Sequence, residues 1–307
     1  MKKFINMANF AGYLYQHNLE LRTSGPNSKN PGTQFIMGTI DVATDDALLN
    51  VVQIHYTYVT EKTAKGTDNS NFKTLMDIIN GKIGTVMNNG IDKAAKVRIN
   101  SAVDVNEFYS DRNGNEELVS AKRNEGGFIH LTNELPEDAT QRNKFDVDML
   151  INKVRTVDAD PDHDIAEHCV ISGYIGDFRG ALKPVDFVAY GSDAISYFEG
   201  LELPCFTRVW GPEVSTTVKK RIEVETAFSG TEIRETTSTR KEFMVTAAQP
   251  MLYLWDDEST ITEAEIKKAM ADREIYLADI KRRNDEYKAS KNKPAATTTV
   301  ATGGFNF

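Results

Sequence analysis

The clearest pattern in the chain is an alternation of apolar positions that begins just after residue 184. Val185, Phe187 and Ala189 occupy every second position, which is the period of a strand with one buried face. Gly191 follows shortly after, and glycine adopts the left-handed backbone of a turn at little cost. The alternation therefore predicts a strand that ends at Gly191.

A short helix is predicted directly after this strand. Ala194 and Ile195 precede Phe198 by four and three residues, as on the apolar face of a helix. Ser192 suits the N-cap of such a helix, and Gly200 suits its C-terminal end. The same order of strand, short helix and glycine recurs at 51–81, which indicates an internal repeat.

A hairpin is predicted after the first copy of this pattern. Positions 96–108 alternate strongly, Asn113 and Gly114 form a favoured hairpin-turn pair, and 117–120 supplies the returning strand. Another glycine, Gly38, lies inside the strand predicted at 35–42. It indicates a bulge or bend of the kind that a small barrel needs.

The order of strands predicts two similar domains. A polar stretch at 133–144 separates a first unit at 1–135 from a second at 145–250. Each unit has the content of a five-stranded Greek-key barrel of the oligonucleotide-binding type. The predicted fold class is all-β, with tandem oligonucleotide-binding barrels, a short α-helix in each and a C-terminal α-helix.

The end of the chain has a different character. Thr262 and Glu265 have the spacing of a capping box, and an apolar stripe with a helical period follows. This pattern predicts an amphipathic helix at 259–290 that docks on a barrel or on another copy. Residues 291–307 are rich in Ala, Thr and Gly and are predicted to be disordered. The stripe consists of Ile266, Met270, Leu277, Ile280 and Tyr287.

The strand and helix at 185–200 resemble the middle of the bacterial and phage single-stranded DNA-binding proteins. There, a strand ending in an aromatic residue and a glycine precedes a short helix, and the resemblance continues across the hairpin at 96–128. It implies an oligonucleotide-binding fold and sequence-independent binding of single-stranded DNA during replication or recombination of a phage or mobile element. The residues that carry it are Phe187, Tyr190, Gly191, Ala194, Tyr197, Phe198 and Gly200.

The last residues bear on protein partners. The resemblance implies that Phe305 and Phe307, near the carboxyl terminus, recruit replication or recombination proteins. The alternative is an inert disordered end.

Composition narrows these expectations. The formal net charge of −9 argues against a uniformly basic nucleic-acid binder, although a local basic groove is compatible with it. No stretch approaches the roughly 20 apolar residues of a membrane span and no signal sequence is evident, so we expect a cytoplasmic protein, in the host cytoplasm if it is phage-encoded. The two cysteines, Cys169 and Cys205, are too few for a disulfide scaffold and are expected to be buried thiols.

Single-strand binding needs exposed aromatic rings for base stacking and cations for the phosphates. Each candidate has an ordinary alternative, because aromatic residues on strands often pack in the core and basic residues are often only solvated. Tyr56 and Tyr58 are two residues apart and are expected to share one face of a strand. The aromatic candidates are Tyr56, Tyr58, Phe108, Tyr109, Tyr190, Trp210 and Phe228. The basic candidates are Arg98, Arg112, Lys122, Arg123, Arg179, Lys183, Arg208, Lys219, Lys220 and Arg221.

Catalytic and metal sites are not predicted. Aspartates alternate at 158–164, but a calcium loop needs a glycine and a carboxylate where this chain has His163 and Cys169. No phosphate-binding glycine loop and no nucleophile elbow occur. We therefore expect no cofactor, no metal and no enzymatic activity.

A structural virion component built on the same barrels and an RNA-binding protein remain as alternatives, and a homo-oligomer is compatible with the sequence.

Overall fold

A computed structural model describes residues 4–26, 28–111, 114–161, 165–177, 180–226, 230–254 and 261–291. Within these ranges only the backbone is described at 216–224, 226, 231–240 and 290–291.

Five strands close the first barrel. Their order is β1-β2-β3-β5-β4, and β4 pairs with β1 to complete the circuit. The helix α1 (Ser70–Ile79) lies between β3 and β4 in sequence, and a short α2 (Val86–Asn89) follows it. This order is the topology of the oligonucleotide-binding fold. The strands are β1 (Asn6–Thr23), β2 (Gln34–Ala43), β3 (Val51–Thr60), β4 (Lys96–Ser110) and β5 (Glu117–Thr132).

The second barrel repeats this order. A closing strand at 243–248 pairs with β9 and meets β8 in parallel through Met244 and Val188. At that meeting the backbone N–H of Val245 donates to the carbonyl oxygen of Val188 at 2.7 Å. The helix α3 (Ser192–Glu199) takes the place of α1. The strands are β6 (Asn143–Val157), β7 (His168–Gly176), β8 (Leu182–Tyr190), β9 (Cys205–Gly211) and β12 (Ala247–Ala248), the last being part of the closing strand.

A two-stranded ribbon extends from each barrel between its last two strands. Ribbon 1 is the outer part of the β4–β5 hairpin, at 102–110 and 117–125. Ribbon 2 consists of β10 (Glu213–Thr226) and β11 (Gly230–Phe243), which pair over 14 rungs.

The two barrels share one sheet and one core. The first residues of β1 pair with β6, from Asn6 opposite Val147 to Phe10 opposite Asn143. Phe145 of β6 stacks on Phe187, with ring centroids 5.0 Å apart. The β1–β6 pairing therefore joins the barrels directly.

The helix α4 (Glu263–Lys291) packs across both barrels. It begins with the predicted capping box, in which the Glu265 N–H donates to Thr262 Oγ1 at 3.2 Å and the Thr262 N–H donates to Glu265 Oε2 at 3.0 Å. Ile266 and Met270 pack against a second apolar cluster that includes Leu182 of barrel 2. Farther along, α4 contacts ribbon 1.

The predicted fold class is confirmed: the chain is all-β, with a short helix in each barrel and a C-terminal helix. Both cysteines are buried, and burial raises the pKa of the Cys205 thiol to about 11. The N-cap of α3 is Gly191 rather than the predicted Ser192. How the chain divides into independently folding units, at 1–135 and 145–250, stays a prediction. Among the described helices, none has the length and apolar character to cross a bilayer.

Candidate nucleic-acid interface

A β-bulge decides which tyrosine of β3 is exposed. Ile36 pairs with Val59 and Gly38 with Tyr56, so β3 contains one more residue than β2 over the same interval. One extra residue reverses the alternation of side chains beyond it. Tyr56 is a core residue with 2% exposure, whereas Tyr58 is 47% exposed. The prediction that both share one face is therefore wrong, and Tyr56 is not placed to stack on a base.

Tyr58 forms an exposed aromatic pair with Phe35 of β2. The ring centroids are 4.5 Å apart and the rings are tilted by 35°. The Tyr58 hydroxyl lies 3.3 Å from Ser24 Oγ, which fixes the ring at this end of the barrel. We call this pair the Tyr58 platform. It offers a stacking surface on the face formed by strands 2 and 3, the face that oligonucleotide-binding barrels use.

The main aromatic surface lies on barrel 2, where Tyr190 and Trp210 flank the closing strand. Tyr190, the last residue of β8, lies on one side of the closing strand. Trp210 of β9 lies on the other side, where it pairs with Ala247. Thr246 of the closing strand lines both a cavity of about 500 Å³ beside Tyr190 and one of about 550 Å³ beside Trp210. Thr246 therefore borders both cavities.

Two further residues complete this surface. Tyr197 of α3 lines the cavity beside Tyr190, is 36% exposed and donates its hydroxyl to the Gln249 carbonyl at 3.3 Å. Lys144 of β6 lines the other cavity, with its Nζ 5.8 Å from the centre of the Trp210 ring. We call Lys144, Tyr190, Tyr197, Trp210 and Thr246 the barrel 2 trough.

Hydrogen bonds and ring contacts fix the Tyr190 end of the trough. The Tyr190 hydroxyl donates to Glu242 Oε2 at 2.8 Å. Its ring also lies beside His168, with centroids 5.1 Å apart. The ring is therefore held at a fixed position on the outer face of β8.

Three of the predicted phosphate contacts are neutralised by carboxylates. Arg208 Nε lies 2.9 Å from Asp148 Oδ1, and the Asp148 side chain is fully enclosed. Arg123 forms ion pairs with Asp104 and Glu125 at 2.8 and 3.0 Å. Lys183 is covered by α4. These cations balance acidic groups of the protein, so they contribute little to a phosphate site.

The side chain of Lys183 shows how α4 withdraws a cation from the surface. Its Nζ lies 4.5 Å from the Tyr276 ring centre and 4.0 Å from Glu107 Oε2, and the side chain is 12% exposed. A strand of nucleic acid would have to displace α4 to reach it.

Other cations are available. In the described part of the chain, Arg98, Lys144 and Lys241 form no ion pair, and Arg98 and Lys241 are exposed. Lys122 donates to the Asp186 carbonyl at 2.7 Å and so is held at the junction of ribbon 1 with barrel 2. Lys144 alone of these borders the trough.

The pKa of His55, on β3, is lowered mainly by burial and further by the charges of Arg123 and Lys241, whereas Asp41 opposes the shift. His55 is therefore neutral near pH 7. Of the two cations, Lys241 forms no ion pair in the described part of the chain, and Arg123 is paired with Asp104 and Glu125. This region lies between the barrel 2 trough and the Tyr58 platform along β3.

The root of ribbon 2 is fixed at the barrel junction by three asparagines. The side chains of Asn143 and Asn50 donate to the Glu213 carbonyl at 2.6 and 3.0 Å, and Asn124 donates to the Glu213 carboxylate. Asn50 Oδ1 also accepts from the Ser215 N–H at 2.7 Å. These bonds leave little free hydrogen-bonding capacity on Asn50 and Asn143 in the Trp210 cavity.

The aromatic candidates of ribbon 1 have different surroundings. Phe108 is 40% exposed. Tyr109 faces α4, where the Lys281 Nζ lies 5.1 Å from its ring centre. Only Phe108 is open to a ligand.

Several candidates cannot be placed. Arg112, Arg179, Phe228, Phe305 and Phe307 lie outside the described residues, as does most of the tail at 291–307. Lys219, Lys220 and Arg221 lie in the middle of β10, opposite Thr237, Thr236 and Glu235, but their side chains are not described. Among the described residues, no group of three or more His, Cys, Asp or Glu side chains is placed to hold a metal ion.

The sequence matches the YorF family over residues 5–283. The chain belongs to this family. No curated protein sequence matches it. A solved structure of a deletion mutant of the single-stranded DNA binding protein from Thermus aquaticus is similar, with a TM-score of 0.47 and 10% identity over 83% of this chain and 98% of that chain. At that TM-score the likeness supports no conclusion about this chain.

Four residues of the trough and the platform of this YorF-family protein are absent from the predicted set: Phe35, Lys144, Tyr197 and Thr246. Tyr197 belongs to the helix pattern at 192–200, which could have indicated it. Phe35 depends on the bulge in β3, and Lys144 depends on the pairing of β6 with β9. No local pattern reveals those two.

Proposed function

We propose that this protein binds single-stranded DNA without sequence preference, with bases stacked along the barrel 2 trough. The observation that carries the proposal is that Tyr190 and Trp210 line two cavities that share Thr246 as a lining residue. Stacking on aromatic rings contributes about 1–3 kcal/mol per base and works for every base.

The hydrogen bonds around Trp210 support the lack of sequence preference. A site that reads a base edge needs free donors and acceptors. Asn50 and Asn143, the amides that line the Trp210 cavity, are already bonded to the backbone of ribbon 2. A ring face beside Lys144 is therefore the main attraction that this cavity offers to a base and its phosphate.

The acidic net charge is compatible with this function. Lys144 and Lys241 form no ion pair within the described residues, whereas Arg123 and Arg208 are neutralised by carboxylates. What attracts a phosphate backbone is the local potential along its path, and the net charge of −9 is spread over the whole chain.

The biological role that follows is passive. Protein bound along a strand would block annealing and nuclease attack, as replication or recombination of a phage or mobile element requires, and no catalytic step is involved. The tail with Phe305 and Phe307 would recruit protein partners. A site size of about 4–16 nucleotides per barrel is expected.

Fluorescence anisotropy of a labelled oligo-dT of about 40 nucleotides tests the proposal. Trp210→Ala is expected to weaken binding by about 1–3 kcal/mol, which is a factor of roughly 5 to 150. Lys144→Ala is expected to reduce the slope of log affinity against log salt by about 0.7. Lys268→Ala is the matched control, because Lys268 is exposed on α4 and paired with Asp272, and it is expected to leave the slope unchanged.

Competitors define the ligand. Unlabelled single-stranded DNA is expected to displace the probe far better than duplex DNA or RNA of the same length. Preferential displacement by RNA would replace the proposal with the RNA-binding alternative. No binding at low salt would remove nucleic-acid binding altogether and favour a structural role.

A further inference from the structure

Ribbon 2 has two long unpaired edges. Its 14 rungs correspond to about 45 Å of strand. In the described part of the chain, β10 and β11 pair only with each other, and asparagine contacts hold the ribbon at its root, near Glu213 and Ser215. An isolated two-stranded ribbon is at best marginally stable in water, so an additional strand would stabilise it.

The two edges differ in sequence. β10 carries Val214, Val218, Ile222 and Val224 at even positions, and the two-residue period of a strand places them on one face. The outer part of β11 has a single large apolar residue, Ile233, among Thr, Ser, Glu and Arg. Protected edge strands are rich in polar and charged residues, whereas central strands carry apolar ones. β10 therefore has the larger apolar content of the two edge strands. Lys220 lies at an even position like these apolar residues, and the other charged residues of 219–225 occupy the odd positions.

The charges on β10 are complementary to those on a second copy of the same strand. In an antiparallel pair centred on Ile222, Arg221 lies opposite Glu223 of the other copy, and Lys219 lies opposite Glu225. The two-fold symmetry repeats both pairs, which gives four oppositely charged pairs and no pair of like charges. Opposite charges across an antiparallel ladder stabilise it, and like charges destabilise it.

Adjacent registers are less favourable. If the pair is centred one residue earlier, Arg221 lies opposite itself, and if it is centred one residue later, Glu223 lies opposite itself. Registers that pair odd-numbered residues of one copy with even-numbered residues of the other place charged residues opposite the apolar positions and mix the two faces of the strand. The register centred on Ile222 also brings the two Ile222 residues together in the middle of the seam, with Val218 and Val224 on the same face.

We propose that two copies of the protein associate through β10. The strands would pair antiparallel over 218–226, centred on Ile222, and form a four-stranded sheet in the order β11-β10-β10-β11. The contact is two-fold symmetric and closed, so it produces a dimer and not a chain of copies. Lys219 and Arg221, candidate phosphate contacts in the sequence, would then act in self-association. This inference is independent of the proposed DNA binding.

Charge reversal tests the proposal by light scattering coupled to size-exclusion chromatography, without DNA. The wild-type protein is expected to have twice the 34.3 kDa mass of one chain. Glu223→Lys with Glu225→Lys makes the four charged odd positions of the seam basic, and Lys219→Glu with Arg221→Glu makes these four positions acidic. Each double variant alone is expected to be monomeric.

The decisive experiment mixes the two double variants. Each of the four rungs at positions 219, 221, 223 and 225 then places a basic residue opposite an acidic one, so the mixture is expected to form a heterodimer, and the quadruple variant is expected to dimerise by itself. Recovery on mixing cannot arise from misfolded chains. A monomeric wild-type protein, double variants that stay dimeric, or a mixture that stays monomeric would each overturn the proposal.

Discussion

Arg273 of α4 donates from both guanidinium Nη atoms to the Glu107 carboxylate of ribbon 1, with Nη1 2.9 Å from Oε2. The Glu107 side chain is fully enclosed and that of Arg273 is 10% exposed. Two residues 166 apart in sequence therefore close the contact between the C-terminal helix and the first barrel. Beyond this pair, Lys281 and Lys288 meet Glu116 near the tip of ribbon 1. Arg273, Lys281 and Lys288 of α4 therefore neutralise acidic residues of this hairpin and are not free for nucleic acid.

The Arg273 pair is expected to contribute strongly to stability. Arg273→Met leaves Glu107 buried without its main partner, and such a loss costs about 3 kcal/mol or more. Urea denaturation measures the change. Arg282→Met is the matched control, because its ion pairs are on the exposed side of α4 and it is expected to change stability far less than Arg273→Met. The double variant Arg273→Met with Glu107→Leu is expected to recover most of the loss. Equal effects of the two single variants would contradict the burial of the pair.

The two tyrosines of β3 provide a paired test of the bulge. Tyr58→Ala removes half of an exposed aromatic pair and is expected to weaken binding of long oligo-dT by about 1–3 kcal/mol while leaving the melting temperature nearly unchanged. Tyr56→Phe removes a buried hydroxyl that has no hydrogen-bond partner among the described residues. It is expected to leave binding unchanged and to keep or raise stability. Loss of affinity in Tyr56→Phe together with unchanged affinity in Tyr58→Ala would contradict the assignment of Tyr58 to the exposed face and of Tyr56 to the core.

Glu213 at the barrel junction is expected to make stability depend on pH. Burial raises the pKa of this carboxyl above its ordinary value of 4.5, although Asn124 and the nearby lysines Lys122 and Lys241 oppose the rise. The folded protein thus holds the proton more tightly than the unfolded chain, and stability falls as the pH rises from about 4.5 through the folded pKa.

Glu213→Gln isolates this effect. Glutamine keeps an oxygen that can accept from Asn124 and carries no charge. The variant is expected to melt at a higher temperature than the wild type at pH 7, with a difference that shrinks as the pH falls toward 4.5. A variant that is less stable at pH 7 would show that the lysines, and not burial, dominate at this carboxyl.

Much of the fold follows from local patterns. The alternation at 185–190, the glycine after it and the spacing of Ile195 and Phe198 predict β8 and α3, because each signal lies within one element. The capping box at Thr262 is equally local. The early part of β1 has no clear period, because β1 pairs first with β6 and β4 and then with β2, so no single face stays buried.

The candidate site was less predictable because it depends on distant partners. The sequence predicts Arg208 as a phosphate contact, yet Arg208 pairs with Asp148, 60 residues away. Lys144 meets Trp210 only because β6 pairs with β9. Tyr56 and Tyr58 do not share the face expected for both, because one extra residue enters β3. Local periodicity identifies elements, but tertiary pairing decides which side chains remain available.

The most direct test of the central claim is the fluorescence of Trp210 during titration with oligo-dT. The chain has two tryptophans, Trp210 and Trp255, so Trp255→Phe leaves Trp210 as the only reporter. Stacking of a base on Trp210 predicts quenching by single-stranded DNA that weakens steeply with salt, and no quenching by duplex DNA. Unchanged fluorescence under conditions in which anisotropy shows binding would contradict the trough as the site.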